Sequence, residues 1–313
     1  MRIVVALGGN ALTGPDGSAT PEAQTEAVRA AAPALAALAA EHELVITHGN
    51  GPQVGNLLVK NEIAASVVPP VPLDWCGAQT QATIGTLLLD ALDDEFARTR
   101  VTKRIAALVT RTVVDPDDPG FRNPTKPIGR YLPLAEAQPL IDHGQTWVDH
   151  GRRGWRRVVA SPEPLEVLDA PAVSALLAAR FAVVAGGGGG VPTVRGTDAE
   201  GAPRLTGVQA VIDKDLTAAV LAQALDADLL VVATDVDHAM VGYGTPGQRP
   251  LEEVTVAELR AHAADGEFGA GGMGPKVEAV CRFTERTGHR SAITSLHRIG
   301  EAAAGTTGTR VRA

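Results

Sequence analysis

Two lysines of this sequence stand where helix electrostatics disfavour a positive charge. Lys276 lies at the start of one predicted helix, and Lys214 lies at the start of another. The helix dipole opposes a cation there, unless the cation and the helix both face an anion such as a phosphate group. Asp215 is then a candidate for holding one or both ammonium groups, whereas Asp213 can simply cap its helix. The alternative for each lysine is an ordinary solvated side chain.

Glycine-rich turns follow three of the predicted strands. They are Gly8-Gly9-Asn10, Gly49-Asn50-Gly51 and the run from Gly186 to Gly190. Glycine lets the backbone approach a ligand closely, and successive N–H groups can form a nest that binds an anion. Ligands of open α/β sheets bind beyond the carboxyl ends of the strands. One such turn is weak evidence, but three in the same topological position predict a phosphate site.

Two well-known nucleotide-binding patterns are missing or incomplete. The sequence has no G-x-x-x-x-G-K-[ST] motif, which excludes a P-loop kinase. The spacing of Gly49, Gly51 and Gly55 resembles the dinucleotide fingerprint, but the third glycine comes one position late. No acidic residue closes the following strand at the expected distance. Phosphate binding must therefore come from the separate glycine turns.

Two carboxylates also follow a predicted strand in the C-terminal half. Asp235 and Asp237 come after residues 229–233, where they could order a nucleotide or a Mg²⁺ ion. Aspartate is equally common in plain turns. The histidines show no metal-ligand spacing, and no residue is assigned as a metal ligand. His48 ends a predicted strand, where a packed histidine is favoured over a catalytic one.

The elements that must position these residues alternate along the chain. Short apolar runs, typical of strands buried on both faces, cover residues 2–7, 44–47, 105–110, 181–185, 229–233 and 291–294. Helical patterns cover residues 21–40, 52–65, 77–98, 173–180, 213–226, 256–264 and 275–288. Strands that alternate with helices predict a layered α/β fold around a mostly parallel sheet.

One region interrupts this alternation. Residues 113–133 are rich in proline, acids and glycine and show no period, and so long a loop in a compact domain is usually functional. Residues 127–165 then indicate a small inserted subdomain with Trp147, Trp155 and a basic run of arginines. The basic run is either a solvated face or a device that steers an anionic substrate.

The bulk composition fits a globular protein with small-molecule partners. The 313 residues are 45% hydrophobic but only 3% aromatic, so the core must be built from Val, Leu, Ile and Ala. A net charge of −8 argues against general nucleic-acid binding, although clustered lysines can still hold a small anion. We find no signal peptide and no apolar stretch long enough to span a membrane. With two cysteines far apart, a cytoplasmic protein with reduced thiols is predicted.

Several ordered motifs of this sequence resemble those of the carbamate kinases. They are Ala6-Leu7-Gly8-Gly9-Asn10-Ala11-Leu12, Thr47-His48-Gly49-Asn50-Gly51-Pro52-Gln53-Val54-Gly55, Asn123-Pro124-Thr125-Lys126-Pro127-Ile128-Gly129, Arg156-Arg157-Val158-Val159-Ala160-Ser161-Pro162, Gly186 to Pro192, Gly207 to Asp215, and Met273-Gly274-Pro275-Lys276-Val277-Glu278-Ala279. The resemblance extends from residue 1 to about residue 310. Long motifs in a fixed order are far more specific than a single glycine turn.

The resemblance implies an amino-acid-kinase fold. This is a three-layer αβα sandwich around a mainly parallel sheet, with a small inserted subdomain, usually as a homodimer. The implied reaction is reversible phosphoryl transfer, ATP + carbamate = ADP + carbamoyl phosphate, with Mg²⁺ as cofactor. In catabolism the reaction usually runs towards ATP after the breakdown of arginine or agmatine.

The resemblance also implies roles for particular residues. Residues 1–206 would form the lobe for carbamate or carbamoyl phosphate, with a lid at about 127–165, and residues 207–313 would form the nucleotide lobe. The small substrate and the transferred phosphoryl group would be cradled by Gly8, Gly9, Asn10, Gly49, Asn50 and Gly51. The nucleotide would contact Lys214, Asp235, Met273, Gly274 and Lys276. The catalytic groups would be Lys126, Lys214, Asp215 and Lys276.

Lys126 is expected to work differently from the other two lysines. It precedes Pro127 in the proline-rich segment, and a residue before proline is pushed towards extended geometry. We therefore expect Lys126 to act from a movable lid and to meet the transferred group or carbamate only on closure. Lys214 and Lys276, at helix starts, should meet the phosphates in the open state as well.

Three positions depart from the motifs typical of carbamate kinases. They are Ala82, Thr86 and Gly272, which would line the small-substrate pocket and the nucleotide loop. None of them removes a proposed catalytic group. They leave open a related amino-acid-kinase enzyme that acts on another acyl phosphate or phosphorylated small molecule. A nonenzymatic nucleotide sensor is the alternative from another class, but regulation alone would not require all three lysines.

Overall fold

The computed structural model describes residues 1–14, 17–269 and 272–313, with the backbone alone at residues 10 and 11. The β-strands of this part of the chain are β1 (Arg2–Leu7), β2 (Glu43–His48), β3 (Arg104–Ala107), β4 (Arg111–Val113), β5 (Lys126–Leu132), β6 (Thr146–Asp149), β7 (Trp155–Val159), β8 (Glu166–Val167), β9 (Phe181–Val184), β10 (Val191–Thr197), β11 (Pro203–Gly207), β12 (Leu229–Thr234), β13 (Met240–Val241), β14 (Arg249–Pro250), β15 (Glu253–Thr255), β16 (Arg290–Ser295) and β17 (Thr309–Arg312). The α-helices are α1 (Pro21–Glu41), α2 (Gly51–Ala64), α3 (Leu73–Thr99), α4 (Pro119–Arg122), α5 (Leu134–Asp142), α6 (Ala170–Ala178), α7 (Lys214–Ala224), α8 (Val256–Ala264), α9 (Met273–Thr287) and α10 (Ile299–Ala304).

The central sheet has eight strands in the order β15-β17-β16-β12-β1-β2-β9-β3. All neighbours from β16 to β3 are parallel. Only at one edge does the direction change, because β17 pairs antiparallel with β16 and parallel with β15. The mainly parallel sheet predicted from the alternation of strands and helices is therefore confirmed.

Helices cover both faces of this sheet. In β1, Val4 and Ala6 face a buried cluster completed by α6, α7, α8 and α9. Ile3 and Val5 face the opposite cluster, which α1, α3 and α10 complete. A strand buried on both faces needs apolar side chains at every position, which is why these strands appear as runs in the sequence. The predicted three-layer αβα sandwich is confirmed.

A smaller unit is inserted between β4 and β8. Strands β5, β7 and β6 form a separate antiparallel sheet, and α5 packs on it through Leu132, Ala137 and Trp147. This unit rests on α2 at a contact between two glycines, where a Cβ on Gly55 would lie 3.2 Å from Gly129 Cα. The three strands span residues 126–159, close to the range 127–165 where the sequence indicated a subdomain. The movement of this unit as a lid stays a prediction.

Two predicted elements need correction. The strand expected at 105–110 ends at Ala107, and the chain continues in β4, which belongs to a four-stranded sheet. Where the chain changes sheets, the side chain of Gln81 takes the place of a neighbouring strand. Its Oε1 accepts from Thr110 N at 3.0 Å, and its Nε2 donates to Thr110 O at 3.2 Å. Residues 113–133 are not one long loop, because they contain α4 and β5. The partner of β5 comes about thirty residues later in the chain, so no local pattern reveals the strand.

In the described part of the chain, no helix is both long enough and apolar enough to cross a lipid bilayer. Cys76 and Cys281 are both buried free thiols. They lie in separate hydrophobic clusters, Cys281 among the core residues under α9 and Cys76 between α2 and α3.

Candidate active site

The glycine turns meet at one edge of the central sheet. Strands β1, β2 and β9 are neighbours and run parallel, so their carboxyl ends lie side by side. The turn after β2 begins with Gly49 N donating to Leu7 O at 3.2 Å, and a Cβ on Gly49 would lie 3.3 Å from Gly9 Cα. The structure thus brings together the turns that the sequence predicted to share a topological position. Asn10 belongs to a 3₁₀ turn, Gly9–Leu12, and its side chain lies outside the described residues.

The loop Gly186 to Gly190 is glycine-rich because polar side chains press against it. A Cβ on Gly188 would lie 2.0 Å from Asn50 Nδ2, and one on Gly187 would lie 2.3 Å from His48 Nε2. Gly188 also has a φ of +62°, in the left-handed region that favours glycine. Larger residues would therefore push away the side chains of His48, at the end of β2, and Asn50, in the turn after it.

Buried threonines fix the backbone of this loop. Thr110 Oγ1 accepts from Gly186 N at 2.9 Å, and Thr47 Oγ1 donates to Gly186 O at 2.8 Å. Thr217 Oγ1, on α7, donates to Gly189 O at 3.1 Å. All three threonines are fully buried. The hydroxyl groups satisfy backbone atoms that would otherwise be costly to bury, and they leave the glycine loop rigid before any ligand arrives.

Lys214 and Lys276 meet at one carboxylate. Lys214 is the first residue of α7, and Lys276 lies in the first turn of α9, which packs against α7. Lys276 Nζ is 3.0 Å from Asp215 Oδ2, while Lys214 Nζ donates to Asp215 Oδ1. All three side chains are nearly buried, with exposed fractions of 13%, 5% and 12% for Lys276, Asp215 and Lys214.

Burial and charge compete at this triad. Burial disfavours the ionised form of Asp215, but the two ammonium groups and their hydrogen bonds outweigh it and lower the pKa of the carboxyl group. Burial also lowers the pKa of Lys214, with Asp215 acting against it and Lys276 adding repulsion. Two cations share one anion, so the site retains attraction for a further negative group. A phosphate satisfies this electrostatic need.

Lys126 reaches the same place from the inserted subdomain. It is the first residue of β5, not part of a free loop as the sequence suggested, and its Nζ lies 2.6 Å from Asp213 Oδ2. Asp213 is the N-cap of α7. The ammonium group of Lys126 is thereby held beside the helix that starts with Lys214. Whether it moves with a lid stays a prediction.

A cavity of about 830 Å³ opens next to the triad. Gly8 and Gly9 contribute to its wall from the first turn, Asp235 contributes after β12, and Lys276 contributes from α9. The rest of the wall comes from the C-terminal half. It combines the apolar or aromatic side chains of Val236, Met240, Tyr243, Phe268, Met273 and Leu296 with the polar side chains of Thr234, His238, Glu267, Ser295 and His297. Gly274 is not part of the wall; its N–H donates to Gly269 O at 3.1 Å, and a Cβ there would lie 3.0 Å from the same oxygen. A cavity of this size suits a ligand as large as a nucleotide.

The other candidates from the sequence, His48 and Asp237, add no reacting group to the site. His48 is buried, and its Nδ1 lies 2.9 Å from Gly49 O. Burial lowers its pKa to about 4, so the ring is neutral near pH 7. Asp237 forms an ion pair with Arg298 at 3.4 Å and lies outside the cavity wall. In residues 1–14, 17–269 and 272–313, no three His, Cys, Asp or Glu side chains gather as a metal site.

Sequence reasoning missed the residues that support the site. Three of these residues are fully buried threonines, Thr47, Thr110 and Thr217. A hydroxyl group at a position that the apolar pattern of the sequence makes fully buried must find a hydrogen-bond partner, and this signal could have revealed them. Gln81 gave a comparable signal as a buried amide on the inner face of α3. The apolar wall of the cavity comes from short segments without a period, which leave no pattern.

The known proteins most relevant to this chain are similar to it over nearly their whole length, and they share one enzyme name. The model of the amino acid kinase family matches residues 1–295. The carbamate kinase of Thermococcus kodakarensis is 44% identical over 315 residues, covering 99% of this chain and 98% of its own length. Carbamate kinase 1 of Enterococcus faecium is 42% identical over 301 residues, covering 96% of this chain and 94% of its own. The structure of carbamate kinase from Giardia lamblia bound to AMP-PNP matches with a TM-score of 0.91 at 40% identity, covering 99% and 98% of the two chains.

Proposed function

This chain belongs to the amino acid kinase family and, within it, to the carbamate kinases, and from this premise we propose that it catalyses ATP + carbamate = ADP + carbamoyl phosphate. It is a phosphotransferase enzyme. The two alternatives, a sister kinase for another small substrate and a nonenzymatic nucleotide sensor, are not favoured, because these full-length relatives are carbamate kinases.

The observation that carries the proposal is the meeting of Lys214, Asp215 and Lys276 beside the glycine turns. A phosphoryl group in transfer spreads negative charge over its equatorial oxygens, and catalysis consists mostly of positioning and electrostatic stabilisation. Lys214 and Lys276 supply positive charge that Asp215 keeps oriented. Backbone N–H groups of the rigid glycine turns supply further donors that need no reorganisation.

The nucleotide belongs in the cavity beside the triad. The apolar side chains of its wall suit a base, and Lys276 in the same wall suits the phosphates. Carbamate or carbamoyl phosphate belongs on the other side of Lys276, among the turns that contain Gly49 and Asn50. This arrangement places the transferred phosphoryl group between the two substrates. A bound-state structure with adenine against residues 1–60 would contradict it.

Carbamate needs no general base, because it is already an anionic nucleophile. His48 fits this view, because it is buried and its lowered pKa of about 4 makes it a weak base near pH 7. Its ring packs against the glycine loop at Gly187, which is a structural role. Lys126 is the third lysine, and its place at the base of the inserted subdomain suits contact with the transferred group.

The proposal includes Mg²⁺ brought in with the nucleotide. Magnesium in such sites is held mainly by substrate phosphates, with one or two carboxylates and water. The carboxylates present fit that arrangement. Asp235 lies in the cavity wall and is the side chain that would face the ion, while Asp213 and Asp215 form ion pairs with lysines. The ion would neutralise charge on the phosphates.

The proposal also includes a cytoplasmic homodimer that makes ATP in the breakdown of arginine or agmatine. The homodimer rests on the family alone. Light scattering should give about twice the monomer mass, and a value near 32.3 kDa would count against the dimer.

The direct test is a coupled assay with purified protein, ADP, carbamoyl phosphate and Mg²⁺. We expect ATP formation that depends on all three components. Turnover with a different acyl phosphate or phosphorylated metabolite alone would move the protein to a sister activity. Nucleotide binding without turnover of any candidate would favour the sensor.

A further inference from the structure

The two oxygens of the Asp213 carboxylate have separate partners. Oδ1 accepts from the backbone N–H of Asp215 at 2.9 Å and from that of Leu216 at 3.4 Å, which caps α7. Oδ2 is 2.6 Å from Lys126 Nζ. The cap needs only one acceptor oxygen, so helix capping does not account for the second contact.

The backbone around Asp213 is tied to the same part of the inserted subdomain. Lys126 pairs with Val159 across β5 and β7. One residue further along the chain, Ala160 O accepts from Val211 N at 2.9 Å. The start of β5 is therefore held against the segment before α7 directly by the Lys126–Asp213 ion pair, and indirectly by the main-chain hydrogen bond made just after its partner strand β7.

The ion pair is poorly suited to a purely stabilising role. The side chain of Lys126 is 34% exposed, and partly exposed pairs of this kind contribute little to the global free energy of unfolding, so any holding effect is local to the base of the subdomain. Asp213 is only 13% exposed and is fixed by the backbone of α7, so it cannot follow the lysine. Lys126 can exchange partners, whereas Asp213 stays in place. Its fixed carboxylate defines where the ammonium group rests.

We propose that Asp213 is a positioning residue for Lys126 in the phosphoryl transfer. It holds the ammonium group beside the start of α7, and the same carboxylate sets the position of the helix that carries Lys214. The lysine of the subdomain and the lysine of the helix are thus aligned by one side chain. This inference rests on the proposed function, in which both lysines face the transferred group.

The test separates the charge of Asp213 from its capping oxygen. Asp213→Asn keeps a good N-cap acceptor but loses the negative charge opposite Lys126. We expect kcat for ATP formation to fall about 10- to 100-fold, as for a misplaced catalytic group, while KM for ADP stays within about twofold. The melting temperature should stay close to that of the wild type. Thr255→Ala removes the cap of α8 and is the matched control, which should lower stability without lowering kcat.

A double-mutant cycle decides whether Asp213 acts through Lys126. In a Lys126→Ala background, Asp213→Asn should cause little further loss of kcat, because the group it positions is gone. An equal loss in both backgrounds, or full kcat in Asp213→Asn alone, would overturn the proposal.

Amide hydrogen exchange supplies a readout that does not depend on turnover. Asp213→Asn should raise exchange in residues 126–132 and 155–159 relative to the rest of the protein, because the ion pair at the base of the subdomain is lost. Unchanged exchange in these strands would also overturn the proposal. A wild-type protein that makes no ATP from carbamoyl phosphate, but responds to Asp213→Asn in exchange, would refute the activity while leaving the ion pair's holding role intact.

Discussion

Lys276 on α9 donates to Asp215 on α7 across 3.0 Å, and both side chains are nearly buried. The contact joins two helices that begin far apart in the sequence but start at the same edge of the sheet. Because Asp215 also binds Lys214, one carboxylate fixes the separation of two ammonium groups. The geometry of the charges is therefore set before a phosphate arrives.

Asp215→Asn should lose most of the activity. The amide keeps the shape of the side chain but leaves two buried ammonium groups repelling each other and free to rotate. We expect kcat to fall about 10²- to 10³-fold, comparable to the loss of a catalytic charge-stabilising group. Steady-state assays of ATP formation measure this.

Asp237→Asn is the matched control for this substitution. Asp237 pairs with Arg298 at the surface and lies outside the cavity wall, so the variant should keep wild-type kcat. If Asp215→Asn and Asp237→Asn behave alike, the central role of Asp215 is wrong.

Gly188→Ala should disturb the site through Asn50. A Cβ there would lie 2.0 Å from Asn50 Nδ2, and the φ of +62° strains any residue with a side chain. The combined strain and clash should cost about 1–3 kcal/mol of unfolding free energy, and kcat should fall as Asn50 is displaced. Denaturant unfolding and steady-state kinetics measure the two effects.

Gly196→Ala provides the comparison for this prediction. Gly196 lies in β10, and a Cβ there would meet no atom within 4 Å. It should leave both stability and activity almost unchanged. Equal tolerance of alanine at residues 188 and 196 would show that the glycine loop is not constrained as described.

The sequence predicted the fold and the charged centre of the site better than it predicted their support. The apolar runs identified β1, β2 and β12, and helix electrostatics singled out Lys214 and Lys276. Both signals are local, because they depend on neighbouring residues within one element. The subdomain strand that begins at Lys126 escaped detection, because its pairing with β7 spans a long insertion. Thr217 escaped for the same reason, since its backbone partner, Gly189, is 28 residues away.

His48 should make the stability of the protein depend on pH below neutrality. Its pKa is about 4 in the folded protein against an ordinary value of 6.5. The unfolded chain therefore binds more protons between these values, and the free energy of unfolding must rise with pH across that window. The shift corresponds to about 3 kcal/mol lost as pH falls from about 6.5 to about 4.

His48→Asn tests this, because asparagine keeps a donor for Gly49 O but does not titrate. Its unfolding free energy, measured by denaturant titration at several pH values, should show a smaller decline than that of the wild type. His143→Asn, at an exposed position, is the control and should retain the wild-type slope. The same slope in all three proteins would contradict the assignment to His48.

Lys126→Ala and Lys276→Ala should separate catalysis from nucleotide binding. Lys276 lies in the wall of the nucleotide-sized cavity, so its loss should weaken ADP binding as well as turnover. Lys126 lies at the start of β5 and pairs with Asp213, outside that wall, so its loss should lower kcat and leave ADP affinity nearly unchanged. Loss of either ammonium group could cost about 10²- to 10³-fold in kcat, by analogy with deleted charge-stabilising donors. Calorimetric titration with ADP and steady-state rates distinguish the variants. If Lys126→Ala loses ADP binding as severely as Lys276→Ala, or keeps full turnover, Lys126 does not serve the transferred group.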